Sequence, residues 1–157
     1  MARAKAGLTG SGMRVLVTGG TGFVGFHTVK VLHEAGHQVR LLVRSPDKMR
    51  RVLAPFGLDT LEHVHGDIAD EKSVARALAG CDAVVYLIGI LREDPSHGVT
   101  FEELQTRGVE RTISAARNAG VRRFLLMSAN GVKPEGTPYQ RTKFLAEEAL
   151  MASGLDW

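Results

Sequence analysis

Three glycines spaced three residues apart are the positions in this chain whose type and spacing most directly suggest chemistry. Gly19, Gly22 and Gly25 follow a short apolar run and precede residues with helical spacing, which stop at Gly36. In a strand–turn–helix context, glycines let the backbone approach a pyrophosphate, and the first helical N–H groups attract its oxygens. The alternative is a tight turn that binds nothing. The residues predicted to hold the phosphates of a dinucleotide are Gly19, Thr21, Gly22, Phe23, Val24 and Gly25.

Arg44 bears on which dinucleotide would bind. A site that prefers NAD(H) places an acidic residue about 20 residues past the glycines, where it accepts a hydrogen bond from the ribose 2′-hydroxyl. Arg44 occupies that position here, nineteen residues after Gly25. A guanidinium cannot accept such a bond, but it suits a 2′-phosphate. The sequence therefore favours NADP(H) over NAD(H), and the alternative is a solvated surface arginine.

The chain that positions these residues alternates five times between predicted strands and helices. Val- and Leu-rich runs predict strands at residues 15–17, 38–43, 61–65, 83–88 and 122–128. A first helix stops at Gly36, and further helices are predicted over residues 47–56, 70–79, 101–119 and 137–152. This alternation is typical of a parallel sheet covered by helices on both faces. We therefore predict a Rossmann-type, doubly wound α/β domain at residues 13–157, with three layers and strand order 3-2-1-4-5, after a disordered leader at residues 1–12.

Length and composition indicate which other classes of protein this sequence does not resemble. The 157 residues suit one domain, and 44% hydrophobic with 24% charged residues is ordinary for a soluble globular protein. No apolar run is long enough to span a membrane, and the scattered net charge of +3 gives no indication of nucleic-acid binding. His63 and His65 lack a third ligand at useful spacing, so no metal site is predicted. Cys81 is the single cysteine and fits a reducing compartment, so we predict a cytoplasmic protein.

Several short motifs resemble one known family. The turn TGGTGFVG resembles the N-terminal signature of the extended and atypical short-chain dehydrogenase/reductases. Residues 13–157 are similar throughout to the branch that contains the accessory NAD(P)H-binding subunit of respiratory complex I. NmrA-like and sugar-nucleotide epimerase proteins are near neighbours of that branch. The further motifs that carry the resemblance are Val43-Arg44-Ser45, Gly66-Asp67-Ile68, Tyr86-Leu87-Ile88-Gly89-Ile90, Ala119-Gly120-Val121-Arg122-Arg123-Phe124, Tyr139-x-x-x-Lys143 and Ser153-Gly154-Leu155-Asp156-Trp157.

The resemblance implies roles for residues that follow the third and fourth strands. Asp67 would lie beside the adenine amino group with Ile68 against the ring, and the alternative is that Asp67 caps the following helix. Ile88, Gly89 and Ile90 would line the crevice at the carboxyl end of the fourth strand, where ligands bind in open α/β sheets. Gly89 would let the ribose of the cofactor approach the backbone.

The resemblance also implies a catalytic pair. Tyr139 and Lys143 share one helix face because they are four residues apart. In the family's mechanism the phenol is the general acid or base, and the lysine ammonium favours the phenolate and holds the nicotinamide ribose. Ser128 is the candidate partner hydroxyl, whereas Ala129 takes the usual catalytic position. Gln105 stands where the family has an asparagine.

These departures leave two functions open. One is an NAD(P)-dependent oxidoreductase or epimerase-type enzyme that acts on an unidentified small molecule. The other is a non-catalytic nucleotide-binding structural or regulatory module. Relatives continue past residues 155–157 into a sixth strand and a substrate-binding segment, so the resemblance implies a C-terminally truncated chain. The fifth strand, with Phe124, Leu125 and Leu126, would then be an apolar sheet edge, and we expect self-association through it or through the last helix.

Overall fold

A computed structural model describes residues 12–157, so the predicted leader at residues 1–12 lies, except for Gly12, outside the described residues. The strands in this range are β1 (Arg14–Thr18), β2 (Gln38–Val43), β3 (Glu62–His65), β4 (Ala83–Tyr86) and β5 (Arg123–Leu126). The α-helices are α1 (Phe23–Glu34), α2 (Pro46–Leu53), α3 (Glu71–Leu78), α4 (Gly108–Asn118) and α5 (Pro138–Met151). A π-helical turn, Glu102–Arg107, runs directly into α4, and short 3₁₀ turns occupy Ala54–Phe56 and Pro95–His97.

The sheet has the predicted architecture. Its strand order is β3-β2-β1-β4-β5 and its pairs are parallel, which confirms the Rossmann-type fold. Alternate residues of a strand face opposite sides. Val15 and Val17 accordingly share a buried cluster with residues of α1 and α2, whereas Leu16 belongs to a cluster with residues of α3, α4 and α5. Burial on both faces explains why the strands read as continuous apolar runs.

Three of the predicted helix starts are confirmed by their capping contacts. The Ser45 hydroxyl accepts a hydrogen bond from a backbone N–H in the first turn of α2, and Pro46 follows at the first helical position. Asp70 caps α3 in the same way, through both carboxylate oxygens. Thr137 and Gln140 form a reciprocal capping box at the start of α5. These short polar side chains satisfy N–H groups that a helix cannot satisfy internally, so they fix where each helix begins.

Several predicted boundaries are wrong. β4 ends at Tyr86 rather than at residue 88, and β5 spans four residues rather than 122–128. Met127 N–H still donates to the Tyr86 carbonyl at 2.9 Å, directly after β5. α2 ends at Leu53 because Pro55 cannot continue an α-helix, and residues 54–56 form the 3₁₀ turn. The predicted helix at 101–119 is π-helical over its first part.

The outer edge of β5 is not as open as the sequence suggests. Asp156 pairs with Arg123 in a parallel bridge. The Phe124 N–H donates to the Asp156 carbonyl, and the Asp156 N–H donates to the Arg122 carbonyl, both at 2.8 Å. Phe124 is fully buried and Leu126 is partly buried, so Leu125, half exposed, is the most exposed apolar residue of this strand. Self-association through β5 or α5 stays a prediction.

Arg40 ties the sheet to the end of a helix. Its side chain is buried on β2, and Nη1 donates to the carbonyls of Ala77 and Ala79 at 2.9 and 2.6 Å. Carbonyls at a helix end lack intrahelical partners, so Arg40 supplies the donors that the last turn of α3 requires. The guanidinium also contacts Glu62 on β3 at 2.7 Å, and this hydrogen bond raises the pKa of Arg40.

We expect Arg40→Met to lower the free energy of unfolding by about 1–3 kcal/mol, because buried carbonyls lose their donors. Urea denaturation followed by circular dichroism measures this change. Arg51→Met is the matched control, since Arg51 is exposed on α2 and a surface change of this kind stays within about 0.5 kcal/mol. Equal stabilities of the two variants would show that Arg40 does not stabilise the end of α3.

Candidate functional site

The carboxyl ends of β1, β2, β3 and β4 surround one cleft of about 600 Å³. It lies where the chain leaves β1 toward one face of the sheet and β4 toward the other, which is where ligands bind in open α/β folds. The predicted site residues that line it are Gly19, Thr21, Gly22, Arg44, Asp67, Ile68, Ile88, Gly89 and Ile90. Lys48, Val99 and Leu104 also line the cleft, and sequence reasoning does not identify them.

The turn at residues 19–22 places its backbone in the lining of the cleft. Gly19 has φ of +74°, which side-chain-bearing residues rarely adopt, and its carbonyl accepts the Gly22 N–H at 3.0 Å. A Cβ on Gly25 would collide with the Gly19 carbonyl oxygen, so α1 packs directly on the turn. Gly22 at the N-cap has no side chain to cap α1, and the first turn of α1 carries no acidic residue. The first N–H groups of α1 can therefore take phosphate oxygens, which fits a dinucleotide.

Three predicted phosphate-site residues lie outside the cleft lining. The side chains of Phe23 and Val24 are 79% and 47% exposed and point away from it. Any contribution of these two residues comes from their backbone N–H groups at the start of α1. Gly25 is buried beneath the turn, where it permits the close packing of helix and strand. Sequence spacing alone does not distinguish these supporting positions from lining positions.

Two cations line the end of the cleft beyond β2. Arg44 follows β2, and its Nε lies 4.0 Å from Asp67 Oδ2 across the cleft mouth. Lys48 lies four residues further, in the first turn of α2. The Ser45 hydroxyl accepts the Lys48 N–H at 3.2 Å, so the cap brings residue 48, three positions later, back beside the end of β2. That spacing is the signal by which the sequence could have identified Lys48.

Asp67 and Ile68 form the wall that follows β3. The suggestion that Asp67 caps the next helix is wrong, because Asp70 is that cap. Asp67 Oδ1 instead accepts the Ala69 N–H at 2.9 Å within the preceding turn. The Ile68 carbonyl accepts a hydrogen bond of 2.7 Å from Arg111, which fixes this wall to α4.

Gly89 and Lys143 face each other at the opposite end of the cleft. A Cβ on Gly89 would lie 3.5 Å from Lys143 Nζ, so the ammonium approaches the backbone that follows β4. Lys143 Nζ donates to the Met127 carbonyl at 2.7 Å. Burial lowers the pKa of Lys143, and the nearby Glu147 partly opposes this effect.

Tyr139 lies in the first turn of α5, one turn before Lys143, as predicted. Its ring meets Phe101 edge to face, with ring centroids 5.7 Å apart. This contact orients the phenol against the segment that precedes the π-helical turn. Tyr139 and Lys143 do not themselves belong to the cleft lining.

Ser128 is placed differently from the catalytic pair. It lines a second, mostly apolar cavity on the outer side of β5, together with Phe124, Leu126 and Trp157. Its hydroxyl is buried and has no hydrogen-bond partner within residues 12–157. The structure therefore does not bring Ser128 to the cofactor cleft.

Two negative findings apply to residues 12–157. Within this range no group of three or more His, Cys, Asp and Glu side chains is arranged to hold a metal ion. No helix of the described range is long and apolar enough to cross a bilayer.

The comparison with protein families agrees with this geometry. Residues 19–157 match the model of a family described as NAD(P)H-binding. The chain belongs to this family. Its homologues and structural neighbours are of the short-chain dehydrogenase/reductase and epimerase type. This NAD(P)H-binding assignment covers every residue that lines the cleft.

Individual relatives match between 74% and 96% of this chain. The 3β-hydroxysteroid dehydrogenase/Δ5→4-isomerase of Mycobacterium tuberculosis is 34% identical over 96% of this chain and 46% of the relative. The UDP-glucose 4-epimerase of Klebsiella pneumoniae is 31% identical over 74% of this chain and 89% of the relative. A short-chain dehydrogenase/reductase superfamily protein from Agrobacterium tumefaciens, solved with bound NAD, has 29% identity and a TM-score of 0.69 over 87% of this chain and 44% of that one. The NAD(P)H-binding chain thus spans less than half the length of two of these three relatives.

The lowered pKa of Lys143 predicts how the stability of the folded chain depends on pH. Burial lowers its pKa, so the unfolded chain binds more protons than the folded chain between the folded pKa and 10.5. The cost of the buried ammonium is therefore greatest below the folded pKa and disappears as the pH rises toward 10.5. We expect the unfolding temperature of Lys143→Met, relative to that of the unmodified chain, to fall as the pH rises from neutral toward 10.5, the ordinary pKa of this group.

Differential scanning calorimetry across this pH range provides the measurement. Lys72→Met on the exposed side of α3 is the control, and its difference from the unmodified chain should not depend on pH. A pH-independent difference for Lys143→Met would mean that the Lys143 pKa is not lowered by folding.

Proposed function

We propose that this chain binds NADPH in the cleft and is the cofactor-binding part of an oxidoreductase. The observation that supports this proposal is the pair of cations, Arg44 and Lys48, at the adenosine end of the cleft. A 2′-phosphate is the group that distinguishes NADPH from NADH, and cations beyond the second strand are suited to it. The relative named as a dehydrogenase supports oxidoreduction, and the relative named as an epimerase supports the related epimerase-type reaction.

The Asp67 carboxylate, which lies beside Arg44, does not oppose a preference for NADPH. Arg44 and Asp67 are 70% and 43% exposed, and an exposed ion pair of this kind contributes little to stability. Arg44 can therefore turn from Asp67 toward a phosphate at small cost. Lys48 adds a second positive charge to the lining, so two cations face one carboxylate and the adenosine end would have net positive charge.

We expect Arg44→Ala and Lys48→Ala each to weaken NADPH binding about tenfold or more, because a hydrogen bond to a charged group contributes roughly 1.5–3 kcal/mol. NADH lacks the 2′-phosphate, so its affinity should change little. Isothermal titration calorimetry with both dinucleotides measures the two effects.

Arg51→Ala is the matched control for both variants. Arg51 is an exposed cation on α2, and it does not line the cleft. Its removal should leave both affinities unchanged. Equal affinity of the unmodified chain for NADPH and NADH would refute the proposed preference, even if the chain still binds both.

The catalytic part of the proposal rests on α5. When bound, the nicotinamide supplies the hydride. Tyr139 would exchange a proton with the substrate oxygen, and Phe101 orients the phenol through the edge-to-face contact. Lys143, held by the Met127 carbonyl and facing Gly89, would hold the ribose beside the nicotinamide. The substrate is a small molecule with a hydroxyl or carbonyl group.

Tyr139→Phe should reduce NADPH-dependent reduction of a panel of ketones and aldehydes by about 100-fold or more, because the proton donor is lost. Its affinity for NADPH should stay that of the unmodified chain, since the proton-transfer role does not involve binding. Absorbance at 340 nm follows the reaction. Unchanged turnover in this variant would exclude Tyr139 as the general acid.

A second function is favoured by the position of Ser128. Its hydroxyl lines the cavity outside β5, and Ala129 follows it, so the partner hydroxyl of the catalytic pair is not at the cleft. A chain that binds NADPH but turns over no carbonyl substrate would be a nucleotide-binding structural or regulatory module. The same assays separate the two functions, because only the enzyme shows turnover in addition to NADPH binding.

A further inference from the structure

One guanidinium connects two segments that line the cleft. Arg111 lies in α4, where its Nη1 donates to the Ile68 carbonyl at 2.7 Å and its Nη2 donates to Glu103 Oε1 at 2.9 Å. Ile68 and Leu104, the residue after Glu103, both line the cleft. The Arg111 and Glu103 side chains are 17% and 25% exposed, so water reaches this ion pair only in part. A single side chain therefore connects the wall after β3 with the π-helical turn.

The wall that carries Ile68 lies outside the sheet. β3 ends at His65, so Asp67 and Ile68 belong to the turn before α3. The Asp67 carbonyl accepts the Asp70 N–H at 3.1 Å and closes this turn locally. A local contact fixes the shape of a turn but not its distance from another element. Arg111, 43 residues from Ile68 in the chain, supplies a contact that does fix such a distance.

The guanidinium makes these two contacts with its two terminal nitrogens. Because a guanidinium is planar and rigid, it holds the two acceptors at a fixed separation. A Cβ on Gly108 would lie 3.4 Å from Ile68 Cγ1, so the Ile68 side chain packs directly on the helix that carries Arg111. The distance between Ile68 and the π-helical turn is therefore set from α4.

The two connected segments present aliphatic side chains to the cleft. Ile68 follows Asp67, whose Oδ2 lies 4.0 Å from Nε of Arg44 at the proposed 2′-phosphate position. The base of a dinucleotide is attached to the ribose that carries this phosphate, so the base would lie close to Ile68. Leu104 lines the cleft from the π-helical turn. A planar base fits a slot between aliphatic side chains of this kind.

We propose that Arg111 is a positioning residue that sets the width of the slot between Ile68 and Leu104, and so makes the site selective for the size of the base. This inference rests on the proposed cofactor binding. It predicts a change in selectivity between dinucleotides that differ in the base, whereas a purely structural role predicts the same loss of affinity for all of them.

Two probes test this inference by isothermal titration calorimetry with the whole chain. They are NADP⁺ and etheno-NADP⁺, whose adenine carries an additional fused ring. The unmodified chain should bind NADP⁺ about tenfold or more tightly than etheno-NADP⁺, because a packed slot resists a larger group. Arg111→Met removes the donors, so the wall that carries Ile68 can move. The ratio of the two affinities should then fall to about threefold or less.

Glu103 supplies a second variant that keeps the test valid if Arg111→Met does not fold. Glu103→Leu removes the acceptor on the π-helical turn and leaves the contact with Ile68, so the ratio should fall in the same direction. Arg107→Met is the matched control. Arg107 pairs with Glu102 at 3.5 Å on the same turn, but both side chains are more than half exposed. This control should keep the ratio of the unmodified chain.

The possible results separate the positioning role from a structural one. A parallel loss of affinity for both probes would show that Arg111 only stabilises the fold, and unchanged affinity for both would show that it does not position the site. Equal affinity of the unmodified chain for both probes would show that the slot does not select by size. Each of these results overturns the inference while the proposed cofactor binding stands. Failure of the unmodified chain to bind NADP⁺ would refute the proposed function, and the positioning role with it.

Discussion

The close packing of α1 on the glycine turn is the constraint on which the cleft depends. A Cβ on Gly25 would collide with the carbonyl of Gly19, and a Cβ on Gly20 would collide with Leu41 of the neighbouring strand. Helix and sheet can approach this closely only because these side chains are absent. The approach aims the N–H groups at the start of α1 into the cleft. The phosphate-binding geometry is therefore a consequence of how the first strand and first helix pack.

A second constraint links the core to the opposite half of the cleft. Tyr86 is fully buried on β4, and burial raises the pKa of its hydroxyl, so it stays a neutral donor that needs an acceptor. The Leu104 carbonyl provides the acceptor, and Gly108 leaves room, because a Cβ there would lie 2.5 Å from the Tyr86 oxygen. The helix widens into its π-helical turn at this contact. Packing around one phenol thus places Gln105 and Leu104.

The parts of the fold that local chemistry determines could be predicted from the sequence. Apolar runs located the strands, and the predicted helix starts at residues 47, 70 and 137 lie within two residues of the caps Ser45, Asp70 and Thr137. The contacts that sequence reasoning missed join residues far apart in the chain. The π-helical turn depends on a partner eighteen residues away, and the partner of the β5 edge is Asp156. Only the three-dimensional arrangement brings such pairs together, so no local pattern indicates them.

The two halves of the cleft are built from different kinds of interaction. The adenosine half uses exposed side chains, Arg44 and Asp67, whose replacement disturbs little else. The opposite half uses buried polar groups, Gln105, Thr142 and Lys143, each of which needs a partner. If this end sets the dinucleotide preference, as proposed, that preference can therefore change without loss of stability. The geometry around Lys143 is fixed by the core itself, so this end can change only if its buried partners change together.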